Sequence, residues 1–89
     1  MESIFELGRV LITPGAEDLL PPDQIDRALA RHAVGDWGEL CGEDVQLNNK
    51  ALQTGDRLLS AYRTSDGDKF WIITEAEREY TTILLPSEY

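Results

Sequence analysis

The chain has 89 residues, 42% of them hydrophobic and 28% charged, which suits one domain with a thin core and leaves no room for a second. Seventeen acidic residues against eight basic ones give a formal net charge of −9 at pH 7. This charge disfavours direct binding of nucleic acid, which depends on Lys and Arg contacts to phosphate, and binding to an anionic membrane surface. Plain solubility, a basic protein partner and mimicry of nucleic acid all remain compatible with it.

Cysteine usage and the start of the chain indicate a cellular compartment. The single Cys41 excludes an internal disulfide and fits a reducing cytoplasm. The start Met1-Glu2-Ser3 lacks the basic residues of a secretory signal peptide. No apolar run approaches the roughly 20 residues of a membrane span. We therefore expect a cytoplasmic chain that folds as a single domain over residues 1–89.

The first elements are short. Val10 to Thr13 is an apolar, partly β-branched run that predicts the first strand, and Pro14-Gly15 ends it. Thr13 stands where an N-cap residue would, with Pro14 at the first helical position. We therefore expect one helical turn or more over Ala16 to Leu20.

The clearest helix follows this turn. Ile25, Leu29 and Ala33 recur every four residues, so they form one apolar stripe and predict a helix over Asp23 to Val34. Gly35 is well placed to end this helix.

A second long helix is predicted over Leu40 to Thr54, beginning near Gly42. Leu40, Leu47 and Ala51 fall on one side of it, and we expect that side to face the core. Gly55 again suits the position after the helix.

Three strands complete the chain. Leu58 to Arg63 and Lys69 to Thr74 are rich in aromatic and β-branched residues, and Asp66-Gly67 lies between them. Asp-Gly predicts a hairpin with a type I′ turn, in which both central residues have positive φ. Thr81 to Leu85 is the third run, after a short charged link. Because Lys69 to Thr74 is apolar on both faces, it should be the central strand.

These elements predict an α+β domain of the order β-α-α-β-β-β. Its sheet should be antiparallel, with three to four strands, and the helices should pack on one face. The first strand is expected at an edge of the sheet.

A few residues are candidates for chemistry. His32, Asp36 and Glu39 lie close in sequence, which leaves a metal or acid–base site open, and Cys41 with His32 could form a nucleophile and its base. A lone His at a helix C-terminus is more typical of a surface group that complements the helix dipole. A lone Cys is more typical of a half-buried, inert thiol. We therefore predict neither a metal site nor a catalytic pair.

The last turn offers a second candidate. Thr74, Arg78, Thr81 and Thr82 place hydroxyl groups and one cation near it, where a small anion could sit. Thr is also an ordinary strand residue, which explains the pattern better. No glycine-rich phosphate loop leads from a strand into a helix. The sequence therefore predicts no cofactor and no enzyme activity.

The region from Gly15 to Asp44 holds eight acidic residues against two basic ones. Carboxylates spaced along two helices could present a phosphate-like array to a nucleic-acid-binding protein, but they also suit a solvated surface with acids in first helical turns. The loop before the second helix contains a Trp, a type enriched in binding hot spots, which could instead close the core. If a surface binds a partner, we expect it to contain Asp36, Trp37, Glu39, Glu43 and Asp44.

Five stretches that together span nearly the whole chain form a pattern. They are Phe5-Glu6-Leu7-Gly8, Gly35-Asp36-Trp37-Gly38, Ser60-Ala61-Tyr62-Arg63, Trp71 to Arg78, and Thr81 to Tyr89. This pattern resembles a family of small bacterial proteins usually labelled plasmid-related protein, and sometimes a subunit of type I restriction endonuclease. The resemblance implies a bacterial cytoplasmic protein linked to mobile DNA. It implies no established activity and no catalytic residue.

The predicted order of elements is also similar to that of the small ribosome-dependent ribonuclease toxins of toxin–antitoxin pairs. Those proteins are basic and direct Arg, Lys, His or Tyr side chains at RNA. The candidates here are Arg63, Lys69, Arg78 and Tyr80, in a chain whose net charge of −9 would repel RNA. We therefore predict a protein-binding module. The alternative is a small hydrolase or ribonuclease-like enzyme that uses His32, or Arg63 with Tyr80.

Overall fold

The computed structural model describes residues 3–89, and within them the chain forms one four-stranded sheet and three α-helices. The elements are β1 Arg9–Ile12, α1 Pro14–Leu19, α2 Pro22–Ala33, α3 Gly42–Thr54, β2 Leu58–Arg63, β3 Lys69–Thr74 and β4 Tyr80–Leu84. Single 3₁₀ turns lie at Ala76–Arg78 and Pro86–Glu88. The predicted α+β class is confirmed. The prediction on a signal peptide falls partly on Met1 and Glu2, which lie outside the described residues.

The sheet is mixed, with the strand order β1-β4-β3-β2. Strands β2, β3 and β4 form the predicted antiparallel meander, whereas β1 pairs with β4 in parallel, from Arg9 opposite Tyr80 to Ile12 opposite Ile83. The prediction of an antiparallel sheet was therefore wrong for β1. Three helices separate β1 from the meander, so no tight turn constrains the direction in which it pairs. The edge position of β1 and the interior position of β3 are confirmed.

The helices cover one face of the sheet, as predicted. Ala16, Leu20 and Ala28 pack against a sheet surface made by Tyr62, Phe70, Ile72 and Ile83. A second cluster joins Ala51 of α3 to Leu58 and Trp37. Burial of each large apolar side chain contributes about 1.5–3 kcal/mol, so these two clusters stabilise the packing of the helices on the sheet. None of the helices in residues 3–89 is long and apolar enough to cross a membrane.

The prediction of the side of α3 that faces the core is confirmed for Ala51, which is buried, and wrong for Leu47. Leu47 is 64% exposed, whereas Asn48, the next residue, is buried. The Asn48 amide donates to the carbonyl oxygen of Leu59 (2.6 Å) and accepts from the Leu59 N–H (3.1 Å). This pair of bonds replaces a neighbouring strand at the free edge of β2, because buried backbone groups need partners. Hydrophobicity predicted that Leu47 faces the sheet, but the amide side chain of Asn48 does so instead.

The predicted hairpin between β2 and β3 is confirmed, but its turn is of another type. The Gly67 N–H donates to the Thr64 carbonyl (2.9 Å), and the Thr64 N–H donates to the Asp68 carbonyl (2.9 Å). Gly67 has φ +90°, while Asp66 is not among the residues with positive φ. The loop is therefore a type I turn followed by a left-handed glycine, a common three-residue hairpin connection that requires one positive φ rather than two.

The loop before α3 also closes the edge of β2. The Ala61 N–H donates to the Trp37 carbonyl (3.1 Å), and the Glu39 N–H donates to the Ala61 carbonyl (2.7 Å). Gly38 lies between these bonds with φ +76°, and a Cβ atom there would lie 2.0 Å from the Ala61 carbonyl oxygen. Only glycine allows the loop backbone to lie this close to the strand.

We predict that Gly38→Ala destabilises the protein by about 3 kcal/mol or more, because the left-handed backbone conformation and the collision with β2 both oppose the added methyl group. Chemical denaturation monitored by circular dichroism gives the free energy of unfolding.

Gly55→Ala is the matched control. Gly55 has φ +82°, and a Cβ atom there would meet no atom within 4 Å. This substitution should cost only about 1 kcal/mol, the penalty of the backbone conformation alone. Equal losses for the two variants would show that the close approach to β2 does not matter.

Candidate functional site

His32 is the centre of a buried polar chain, and the prediction that it is a surface group was wrong. Its side chain is 0% exposed. Nδ1 lies 2.5 Å from the Ser60 hydroxyl and Nε2 lies 2.9 Å from the Thr74 hydroxyl. Helix α2 covers the sheet, so the last turn of the helix directs the ring at β2 and β3 instead of at solvent. The helix-end pattern therefore indicated the position of His32 but not the side of the helix on which it lies.

The hydrogen bonds of this chain run in one direction. The Thr81 hydroxyl donates to the Leu7 carbonyl (2.6 Å), which can only accept. The Thr74 hydroxyl, 2.8 Å from Thr81, must then donate to it, so Thr74 accepts from His32. This assigns the proton of the neutral ring to Nε2, and Nδ1 accepts from Ser60. The chain joins α2, three strands and the N-terminal segment.

Aromatic rings enclose His32 on the remaining sides. The Phe5 ring meets it edge-on at 5.2 Å between centroids, and the Trp37 ring does so at 5.6 Å. Burial, followed by the positive charge of Arg78, lowers the pKa of His32 to about 4. His32 is therefore neutral near pH 7.

Ser60 and His32 are as close as a nucleophile and its base would be, but the pair is not accessible from solvent. Ser60, His32 and Thr74 are all fully buried, so a substrate cannot reach them. Cys41 is exposed, and its thiol donates to the Asp44 carboxylate at 3.3 Å. The structure therefore does not join Cys41 and His32 into a pair.

The hydroxyls and the cation near the last turn also have structural roles. Thr74 and Thr81 belong to the buried chain. The Arg78 guanidinium donates to the Ala51 carbonyl (2.9 Å) and to the Asp56 carbonyl (2.6 Å), at the C-terminal end of α3. A cation at this end complements the helix dipole and satisfies carbonyls that have no partner within the helix. The Arg78 guanidinium is therefore bound to backbone carbonyls and is not directed at a small anion.

Trp37 does not fit the predicted contact surface, and we correct its assignment. The side chain is 4% exposed, and its indole N–H donates to the Asn49 amide oxygen (3.2 Å). It closes the core between α2 and α3, the other interpretation that the sequence allowed. A partner that docks on the folded protein does not reach this side chain.

The four predicted carboxylates are exposed, but two of them already have partners. Asp36 accepts from the Arg31 guanidinium at 2.8 Å and 3.2 Å, and this pair, above all, holds the pKa of Asp36 below its usual value. Glu39 lies 3.3 Å from the Arg63 guanidinium. Glu43 and Asp44, in the first turn of α3, have no salt bridge within residues 3–89.

All three helices begin at the same end of the sheet, the end with the β2–β3 turn. Thr13, before α1, lies beside Ile83 near the end of β4. Gln24 of α2 forms hydrogen bonds with Ser65 in the β2–β3 turn. Glu39, before α3, lies beside Arg63 at the end of β2. Acids in first helical turns and adjoining loops are therefore grouped at this end. We name the exposed carboxylates of these first turns and of the loop before α3 the acidic end: Glu17, Asp23, Glu39, Glu43 and Asp44. Asp36 follows the C-terminal end of α2, where it pairs with Arg31, and lies outside this group.

A cleft of about 320 Å³ lies between α2 and the β2–β3 turn. Three of the eight basic residues line it: Arg27, Arg31 and Arg63. Arg31 and Arg63 are paired with the carboxylates of Asp36 and Glu39, and the Arg31 guanidinium also lies 4.9 Å above the Tyr62 ring. Sequence reasoning missed this cleft, because helix and hairpin are 30 or more residues apart in the chain.

The residues of the ribonuclease-like alternative do not meet. Arg63 and Lys69 face each other beside the β2–β3 turn. Tyr80 begins β4, opposite Arg9, at the other end of the sheet. Tyr80 lies beside Glu75, six residue steps along the chain from Lys69, which is a distance of roughly 20 Å. His32 is buried between them.

Within residues 3–89, no group of three or more His, Cys, Asp or Glu side chains is placed to hold a metal ion. Comparison of the chain with protein-family models, with curated proteins and with solved structures found no match.

The lowered pKa of His32 predicts a pH dependence of stability. Between its ordinary pKa of 6.5 and about 4, the unfolded chain binds a proton at this ring that the folded protein does not bind. The stabilising effect is therefore complete above pH 6.5 and is lost as the pH falls to about 4, by roughly 3 kcal/mol in total. Urea unfolding at a series of pH values measures it.

His32→Gln is the control, because it removes the titrating ring and keeps a polar side chain. The difference in unfolding free energy between the wild type and this variant should shrink as the pH falls. NMR provides a direct check, since the chain has a single His. A ring that titrates near 6.5 in the folded protein would contradict the buried, neutral assignment.

Proposed function

We propose that this chain is a protein-binding module rather than an enzyme, and that its acidic end binds a basic protein. The grouping of five exposed carboxylates in the first turns of the three helices and the loop before α3 is the observation that supports the proposal. Four of them lack a salt bridge within residues 3–89. Unpaired charges of one sign steer a partner of opposite charge and raise its association rate.

An exposed apolar side chain beside these acids favours a protein partner. Leu47 is one of four residues that line a shallow groove on the outer side of α3, with Glu43, Gln46 and Lys50. A protein interface combines a buried apolar contact with a polar rim, and Leu47 is suited to the first role. Leu47 replaces Trp37 as the apolar residue of the proposed surface.

The charge pattern also bears on mimicry of nucleic acid, the narrower form of the proposal. The arginines of the cleft interrupt the carboxylates along α2, whereas a mimic of a phosphate backbone would present a continuous acidic stripe. A partner with its own mixed charge pattern therefore fits this surface better than a protein that tracks phosphates. The link to mobile DNA and to bacteria is supported by the sequence resemblance alone.

The non-enzymatic part of the proposal is supported by the placement of the candidate catalytic groups. His32 is enclosed by protein, and Arg63 and Tyr80 lie at opposite ends of the sheet. A hydrolase or ribonuclease needs such groups to converge on an accessible cleft.

We predict that Glu43→Gln combined with Asp44→Asn weakens binding of a basic partner at least five-fold in low salt, because two carboxylates of the surface are removed. The measurement uses immobilised protein as bait in bacterial lysate at two salt concentrations, with retained proteins quantified by mass spectrometry. A basic protein held by the wild type should be depleted on the double variant, and higher salt should release it.

The matched control is Glu6→Gln combined with Glu79→Gln, which changes the net charge equally. Both residues are exposed, and Glu79 lies at the opposite end of the sheet, beside Arg9. This variant should retain the same protein as the wild type. Equal loss on both variants would mean that net charge alone attracts the partner, and unchanged binding on the first variant would refute the acidic end as the contact surface.

A further inference from the structure

The two edge strands of the sheet differ in whether their outward backbone groups have hydrogen-bond partners. At β2, the outward backbone groups of Leu59 and Ala61 have partners in Asn48 and in the loop before α3. At β1, the N–H groups of Arg9 and Thr13 donate to β4, at Glu79 and Ile83, so the backbone groups of the alternate residues point away from the sheet. One edge is closed, and the other is open.

The open edge is defined by Val10 and Ile12, whose N–H and C=O groups have no backbone partner within residues 3–89. Its side chains are apolar and solvent-exposed: Val10 is 43% and Leu11 41% exposed. An exposed strand edge with apolar side chains is a template for pairing with another strand. Short edge strands limit such pairing, and β1 has only four residues.

We propose that β1 pairs with β1 of a second copy of this chain, antiparallel, about a two-fold axis through Leu11. Val10 of each copy then lies opposite Ile12 of the other copy. These two residue pairs form four hydrogen bonds between backbone groups that otherwise face water. The two Leu11 side chains meet across the axis. Pro14 has no N–H and ends the ladder. The result is a continuous eight-stranded sheet.

The charges of this edge suit a second copy. The segment from Leu7 to Ala16 contains no acidic residue, although the chain as a whole carries −9, so two copies approach here without opposed carboxylates on the strands. In the proposed register, Arg9 lies opposite Thr13 of the second copy. Thr13 donates to the Glu88 carboxylate (2.5 Å), and Arg9 has no salt bridge within its own described chain. Arg9 of each copy therefore lies near the Glu88 carboxylate of the other copy, and the two-fold axis repeats this contact.

The strength of this association is limited by its size. Four hydrogen bonds and three short apolar contacts belong to the class of small, weak interfaces. The net charge of each copy also opposes assembly at long range, and salt screens that repulsion. We therefore expect a dimer that forms at high micromolar concentration in about 0.3 M salt, where the Debye length is about 6 Å.

Substitution of Leu11 tests the two-fold register. Leu11→Lys and Leu11→Glu each place like charges directly across the axis, so each variant alone should be monomeric. An equimolar mixture should form a heterodimer, because opposite charges then meet. Sedimentation equilibrium over roughly 0.02–1 mM protein measures the association, and native mass spectrometry identifies the mixed species.

Two further variants separate the edge from general surface effects. Gln53→Lys adds a positive charge at an exposed position of α3, outside both proposed surfaces, and should leave the association unchanged. Val10→Pro removes an outward N–H that β4 does not use, so it should abolish the dimer while the fold persists, as circular dichroism would show. A wild type that stays monomeric up to 1 mM, a Leu11→Lys variant that still dimerises, or a mixture without heterodimer would overturn the proposal.

Discussion

The structure depends on one requirement, that a fully buried histidine has a hydrogen-bond partner on each ring nitrogen. His32 reaches from the last turn of α2 to Ser60 on β2 and Thr74 on β3, and Thr74 leads through Thr81 to the carbonyl of Leu7. An unsatisfied polar group in this position would cost about 1–3 kcal/mol, a large share of the stability of so small a domain. The arrangement therefore specifies how α2, the meander and the N-terminal segment fit together.

The same requirement explains the polar residues at the ends and edges of the fold. Asn48 replaces a strand beside β2, and Arg78 donates to carbonyls at the end of α3. Both side chains belong to types that sequence patterns place on the surface. In a domain with a thin core, polar side chains of this kind hold elements together that apolar contacts alone would leave mobile.

The outer surface follows from the direction in which the helices run. All three begin at the β2–β3 end, and first helical turns favour acids because the helix dipole is positive there. A preference that stabilises each helix separately thus brings four carboxylates, Glu17, Asp23, Glu43 and Asp44, to one end of the sheet. Strand β1, at the edge of the sheet, carries no acid and is left for other contacts.

Local patterns were sufficient to predict most elements of this protein. Period-two alternation gave the bounds of β2 and β3, Thr13 and Pro14 indicated the start of α1, and the spacing from Ile25 to Ala33 indicated α2. These signals succeed because they depend on neighbours within a few residues. The charge imbalance, too, is a property of the sequence.

Contacts between distant residues decided the rest. Whether His32 faces water or Ser60, whether Leu47 or Asn48 faces the sheet, and whether β1 runs with or against β4 depend on contacts between residues 11 to 71 positions apart. Hydrophobic periodicity does not encode them, because a buried amide or imidazole is favourable only when a specific partner stands opposite. The sequence by itself therefore determined which segments are helix and strand and how much charge the chain carries, whereas the tertiary structure alone decided which polar groups are buried and where the carboxylates gather.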